Sequence, residues 1–192
     1  LMRIVFLDID GVLNSANWWQ EEKLEDITTI PGYDRLSPLE RQDAQQIDPN
    51  AVARLNQIIF FAASGRCLGA PPVGLPVVVI SSAWRLDEPL SRIDHVLRFR
   101  GFAHHIIGAT PDIASTPDFY RGNVEHDDGS RGLEIAHFLD GLGDVEQFVI
   151  LDDCNDMGPL EDHLVLTNPL VGLSNDDVVR AIEILKTGPC RR

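Results

Sequence analysis

Cysteine is scarce: Cys67, Cys154 and Cys190 are the only three in 192 residues. They are odd in number and widely spaced, which excludes a disulfide framework and any cysteine-based metal site with adjacent ligands. Reduced thiols in a reducing compartment fit this usage. Long apolar runs are also missing. The stretches around Ile58–Ala63 and Val73–Ile80 fall far short of the ~20 residues a membrane helix needs, so no membrane partner is expected. Acidic residues already stand at Asp8 and Asp10, where a signal peptide would be basic and then apolar. A cytoplasmic protein is the expectation. Positive charge is short too, with 16 basic against 30 acidic residues and a net charge of −14. Such a surface repels nucleic acid at long range, which excludes nonspecific binding by a basic face and leaves room only for a local basic pocket.

What is present is an ordinary globular composition, 44% hydrophobic and 24% charged, in a length that suits one core. We expect a single domain over 1–192. Five short apolar runs stop abruptly at polar residues. Arg3–Leu7 ends at Asp8, Val77–Ile80 at Ser81, His105–Ile107 near Gly108, Phe148–Leu151 at Asp152, and Leu164–Leu166 at Thr167. Continuous runs of this kind read as strands of a parallel sheet buried on both faces. Helical periodicity lies between them. Asn50–Ala63 follows a cap at Asp48 and a first-turn Pro49. Ser130 precedes Arg131–Leu139, and Ser174 precedes Asp176–Leu185, with Leu86–Phe99 as a weaker fourth helix. The alternation predicts an α/β fold: a doubly wound, Rossmann-like parallel sheet of about five strands with flanking helices.

Three stretches break the rhythm. Residues 15–47 form a small polar insertion that carries Trp18 and Trp19, 64–76 a Gly/Pro connector, and 110–129 a long loop. Neither 15–47 nor 110–129 is long enough for a domain with its own core, so the expectation is no cap domain or a minimal one.

Ligands of open α/β sheets bind outside the carboxyl ends of the strands. Those ends carry Asp8 and Asp10, then Ser81, then Asp152 and Asp153. Carboxylates ~4 Å apart repel by ~4 kcal/mol at an effective dielectric of ~20. A divalent cation removes that cost, and hard oxygen ligands with room for phosphate oxygens suit Mg²⁺.

The strings behind this arrangement are specific. Asp8-Ile9-Asp10-Gly11-Val12-Leu13-Asn14 resembles the first motif of the haloacid dehalogenase (HAD) superfamily. Val79-Ile80-Ser81 resembles its second motif, and Val149-Ile150-Leu151-Asp152-Asp153 its fourth, with Asp156 available as the alternative second acid. The strings SSAWR, SRGLEI and LVLTNPLVGLSNDDV are similar to a small subgroup likened to RNA-repair phosphatases. One departure stands out. The third motif is usually a lysine, and neither Lys23 nor Lys186 is placed for it; Arg131, at the first turn of the preceding helix, takes the position.

The resemblance implies a Mg²⁺-dependent phosphatase. Asp8 would attack phosphorus and form an aspartyl-phosphate, and Asp10 would serve as general acid and then base. Ser81 and Arg131 would bind the substrate phosphate. Metal ligands would come from Asp8, Asp10 through its backbone carbonyl, Asp152, and Asp153 or Asp156. The alternatives are a phosphotransferase or phosphomutase and a non-catalytic Mg²⁺/phosphate-binding regulatory module. A receiver-type domain is disfavoured, because the acid that would be phosphorylated stands on the first strand. The partner is a phosphorylated substrate: a nucleotide, a nucleic-acid end (which the net charge does not favour) or a small phosphate ester. Arg85 is expected either at substrate phosphate or in a surface ion pair. Trp18 and Trp19 would stack on a base or pack the insertion, and Cys154 would be a small buried residue.

Overall fold

A computed structural model describes residues 2–21, 26–63, 74–113 and 130–187. Most of the connector at 64–76 and of the loop at 110–129 therefore lies outside the described residues.

The sheet contains β1 (Met2–Leu7), β2 (Val77–Ile80), β3 (Ile106–Ala109), β4 (Val145–Asp152) and β5 (Leu164–Leu166). Every pairing is parallel and the order is β3-β2-β1-β4-β5. Helices α3 (Pro49–Ala63), α4 (Trp84–Asp87), α5 (Leu90–Phe99), α6 (Ser130–Asp140) and α7 (Asn175–Thr187) follow the strands, with α1 (Ala16–Glu21) and α2 (Pro38–Gln46) inside the insertion. This is the expected doubly wound architecture.

The apolar runs have a simple cause. Val5, Leu7, Val78, Ile80, Val149 and Leu151 point into one core, shared with residues of α3, α5, α7 and the insertion. Ile4, Phe6, Val79 and Ile150 point into a second core against Ile135 of α6 and Met157. Both faces are covered, which favours apolar residues on either side of a strand; Arg3, a buried exception in β1, donates to the Ala62 carbonyl at 2.6 Å. Phe6 fixes the second layer with edge-on contacts to Phe138 and Phe148.

The helix starts follow local chemistry. Asp48 Oδ1 accepts the Asn50 N–H at 2.8 Å ahead of α3. Ser174 and Asp177 cap α7 reciprocally, through Ser174 N–H to Asp177 Oδ2 at 2.9 Å and Asp177 N–H to Ser174 Oγ at 3.3 Å. The helix expected over Leu86–Phe99 is two helices. Pro89 forces Glu88 into an extended conformation and becomes the N-cap of α5, so α4 ends at Asp87.

The insertion has local structure that its polarity hides. Ser37 and Glu40 form a capping box at α2. Arg92 of α5 reaches Asp43 of α2 at 2.6 Å, and His95 reaches Glu40 at 2.7 Å. Ile27, Leu36, Ala44 and Ile47 are buried in the same core as the sheet. Trp18 packs within the insertion, its indole N–H donating to the Gln45 carbonyl at 3.1 Å. Trp19 is exposed. No helix among the described residues is long and apolar enough to cross a membrane.

Candidate active site

Strand order reverses between β1 and β4, which opens a crevice at their carboxyl ends. The parallel ladder continues one residue past the strands. Asp8 N–H donates to Leu151 O at 2.9 Å, Ser81 N–H to Leu7 O at 2.8 Å, and Thr167 N–H to Asp152 O at 2.9 Å. Backbone hydrogen bonds thus set Ser81, Asp8, Asp152 and Thr167 in one row along the sheet edge. Beyond Asp8 the chain makes a tight turn in which Ile9 O accepts from Val12, Leu13 and Asn14. Thr167 Oγ1 donates to Gly11 O at 2.9 Å and ties that turn to β5.

Gly11 takes φ +68, and a Cβ there would overlap the Asp153 carboxylate. Only glycine allows this acid to lie directly against the turn. Gly132 does the same for α6, where a Cβ would overlap the Met157 carbonyl. Its N–H donates to Asp156 O at 3.3 Å, and the Arg131 N–H to Asp156 Oδ2 at 3.4 Å. The loop after β4 thereby holds the first turn of α6 and aims Arg131 at the acids.

Arg131 Nη1 lies 3.8 Å from Asp8 Oδ1, and its Nε lies 3.9 Å from Asp152 Oδ2. Asp8 Oδ1 also accepts the Ile9 N–H at 2.8 Å. Asp152 Oδ1 accepts the Cys154 N–H at 2.9 Å. Burial is the main reason that Asp8 is pushed up to about 6, opposed by the Arg131 charge and a hydrogen bond from the Ser82 side chain. Asp152 is pushed up to about 7, first by burial and then by Asp8, with Arg131 opposing. Two buried carboxylates share one guanidinium, so the pocket carries surplus negative charge.

Among the buried polar atoms at this edge that make no hydrogen bond among the described residues are Ser81 Oγ, Arg131 Nη1 and Asp152 Oδ2. The first two are donors to an anion; the third is an acceptor for a cation. Asp152, Asp153 and Cys154 bring potential ligand atoms within 4.8 Å of one another. The Cys154 thiol is held up at about 11, by desolvation first and then by Asp153 and Asp152. That direction disfavours the thiolate at neutral pH. The remaining donors are carboxylate oxygens, which fit a hard divalent cation. Cys154 itself is exposed, not buried as expected from its residue type, because it follows the strand end and not the strand.

Asp10 makes its hydrogen bonds outside this cluster, while its charge still adds to the rise at Asp8. Its Oδ1 accepts from Asn14 Nδ2 at 2.7 Å, and the Trp84 indole N–H lies 3.1 Å from both of its carboxylate oxygens. Arg85 makes an ion pair, with Glu134, but beneath the surface and not on it. It is buried and donates to Ser82 O at 2.7 Å, Thr110 O at 2.8 Å, Pro111 O at 3.2 Å and Glu134 Oε2 at 2.6 Å. It rivets the ends of β2 and β3 to α6.

The order of acids along the row is therefore matched by their meeting in space. The sequence pattern defining the HAD domain in Swiss Army Knife RNA repair proteins matches residues 4–178. The chain belongs to this family. No curated protein and no solved structure matches the chain. HAD domains support phosphohydrolase-type chemistry in general and typically use a divalent metal. The acids after β4 of this HAD domain form a group suited to such an ion. The structure also brings Ser82, Asn14, Trp84 and Gly132 to this edge, where Ser82 is the neighbouring alternative to Ser81 and Asn14 closes the first motif. Ser82 and Trp84 lie within SSAWR, and Gly132 within SRGLEI, so the signal was in the strings and not in the spacing.

Proposed function

We propose that this HAD domain is a Mg²⁺-dependent phosphohydrolase that removes the terminal phosphate of an RNA or nucleotide end through an aspartyl-phosphate on Asp8. The observation that carries the proposal is the buried pair Asp8 and Asp152 sharing Arg131 at ion-pair distance, with Ser81 Oγ, Arg131 Nη1 and Asp152 Oδ2 making no hydrogen bond. Such a pocket is costly until a cation and a phosphoryl group enter it together. The choice of RNA rests on the family description; the net charge of −14 confines recognition to a chain end.

Asp8 attacks phosphorus, and the bond to the leaving oxygen breaks as that oxygen takes a proton from Asp10. Asp10 then removes a proton from water, which attacks the acyl phosphate and releases inorganic phosphate. Arg131 and Ser81 hold the phosphoryl oxygens, and the Ser82 hydroxyl holds Asp8 in place. At neutral pH a carboxyl that titrates at about 6 is mostly the anion that nucleophilic attack needs. Asp8, Asp152, the Asp10 backbone carbonyl and Asp153 would hold Mg²⁺, with Asp156 committed to the α6 turn. Bound there, the ion supplies charge neutralisation for the transferring phosphoryl group.

The test is phosphate release from 3′- and 5′-phosphorylated RNA oligonucleotides and an aryl phosphate, at low salt, with Mg²⁺ or with chelator. Release from an RNA end that stops with chelator supports the reading. Transfer of phosphate to an added alcohol with no free phosphate makes the protein a phosphotransferase instead. No reaction and no inhibition by oligonucleotides removes RNA as the substrate.

A further inference from the structure

We propose that Trp84 is a positioning residue of Asp10, clamping the carboxyl group whose two oxygens Asn14 makes unequal; the proposal rests on the phosphohydrolase reading. Asp10 is exposed on a turn, where a carboxylate left alone samples several rotamers. Here two donors from different elements hold it. Asn14 Nδ2 donates to Oδ1 at 2.7 Å, and the orientation of that amide is set because Asn14 Oδ1 accepts the Gly11 N–H at 2.9 Å. The Trp84 indole N–H sits 3.1 Å from both Oδ1 and Oδ2.

The two oxygens are consequently unequal. Oδ1 faces two donors, so an acid proton placed there would oppose one of them. Oδ2 shares only the indole proton and has the freer lone pair. The transferable proton therefore belongs on Oδ2, pointing away from the clamp. As the ester P–O bond breaks, that O–H bond breaks and its proton goes to the leaving oxygen. The carboxylate later takes a proton from the attacking water, which restores the acid.

Trp84 is well placed for this task. It is half-buried against the main core, and its backbone N–H meets Ser82 Oγ at 3.4 Å. The next residue is Arg85, held by four acceptors. Placement of the indole is thereby inherited from a buried anchor on the far side of the turn. Among the described residues the indole N–H meets Asp10 alone.

Trp84→Phe keeps an aromatic ring, though a smaller one, and removes the donor. On an unactivated ester such as a phosphorylated oligonucleotide, kcat should fall by about tenfold with KM within about twofold, a fraction of what general acid–base catalysis supplies. On an activated aryl phosphate, whose leaving group needs no proton, the fall should be smaller. Trp84→Phe should add nothing to the loss caused by Asp10→Asn. Independently of turnover, the indole N–H resonance that disappears in Trp84→Phe should shift in Asp10→Ala, while that of Trp18 stays in place. An active parent with Trp84→Phe unchanged, or slowed equally on both esters, overturns the proposal alone. A resonance unmoved by Asp10→Ala overturns it as well. A parent without turnover on any ester refutes the phosphohydrolase reading on which it stands.

Discussion

Asp152→Asn should make the metal-free protein more stable while removing its response to Mg²⁺. Asp152 is fully buried, and its carboxyl is pushed from an ordinary 3.8 to about 7. At 1.36 kcal/mol per pH unit, holding the anion in the fold near pH 8 costs about 4 kcal/mol. The sign follows from linkage. A carboxyl raised in the folded state contributes stability that is fully present below its unfolded value of 3.8 and lost as pH rises through about 7. Asp8, raised to about 6, acts in the same direction. Asparagine keeps the volume and the acceptor for the Cys154 N–H, and it ends the charge repulsion with Asp8. Net stabilisation should be about 2–4 kcal/mol, or roughly 5–10 °C in Tm for a domain of this size. Thermal melts in chelator at about pH 5 and about pH 8 test this. The parent should lose stability between the two, and the variant should lose less. Millimolar Mg²⁺ should stabilise the parent, by ~2.7 kcal/mol at a hundredfold excess over Kd, and leave the variant unmoved. A variant that melts below its parent in chelator near pH 8 refutes the reasoning.

Arg131→Lys should raise KM about tenfold, because one ammonium cannot face both Asp8 and Asp152 as the guanidinium does; steady-state kinetics with phosphate as competitor check it. Gly132→Ala should cost about 2 kcal/mol by overpacking against the Met157 carbonyl, and should also weaken phosphate inhibition because α6 carries Arg131; denaturant titration and inhibition constants read the two effects. Arg85→Met should destabilise by about 3–5 kcal/mol, since it strands Glu134 in a site where both side chains are at most 10% exposed. Adding Glu134→Leu should recover much of that loss, which equilibrium unfolding measures.

The parts of the fold legible in the residues were those that burial writes directly. Val5 and Leu7 face one core, Ile4 and Phe6 the other, so β1 is an unbroken apolar run. Its end at Asp8 is visible because the site begins where burial on both faces stops. The insertion was opaque for the opposite reason: α2 buries only Ala44 and is held by ion pairs to α5, which leave no periodic stripe. Pro89 shows how one residue splits a helix that periodicity joins. In the site, strand-end acids were readable because the parallel ladder puts them in a row. Arg85 was not, since its partners are carbonyls of Ser82, Thr110 and Pro111, which no side-chain pattern reveals. Trp84 and Asn14 depend on how two turns face each other across the crevice. Gly132 depends on how closely the loop at Met157 approaches it.

The claim that Asp8 is the nucleophile has a direct chemical test. Asp10→Asn, mixed with an aryl phosphate and Mg²⁺, should accumulate the acyl phosphate, because the base for its hydrolysis is gone. Acid quenching, borohydride reduction and peptide mapping would then convert the modified residue to homoserine. The expected result is homoserine at position 8, dependent on Mg²⁺ and absent in Asp8→Asn. Phosphate release by the parent, with position 8 unmodified and the label on another side chain, would contradict the assignment.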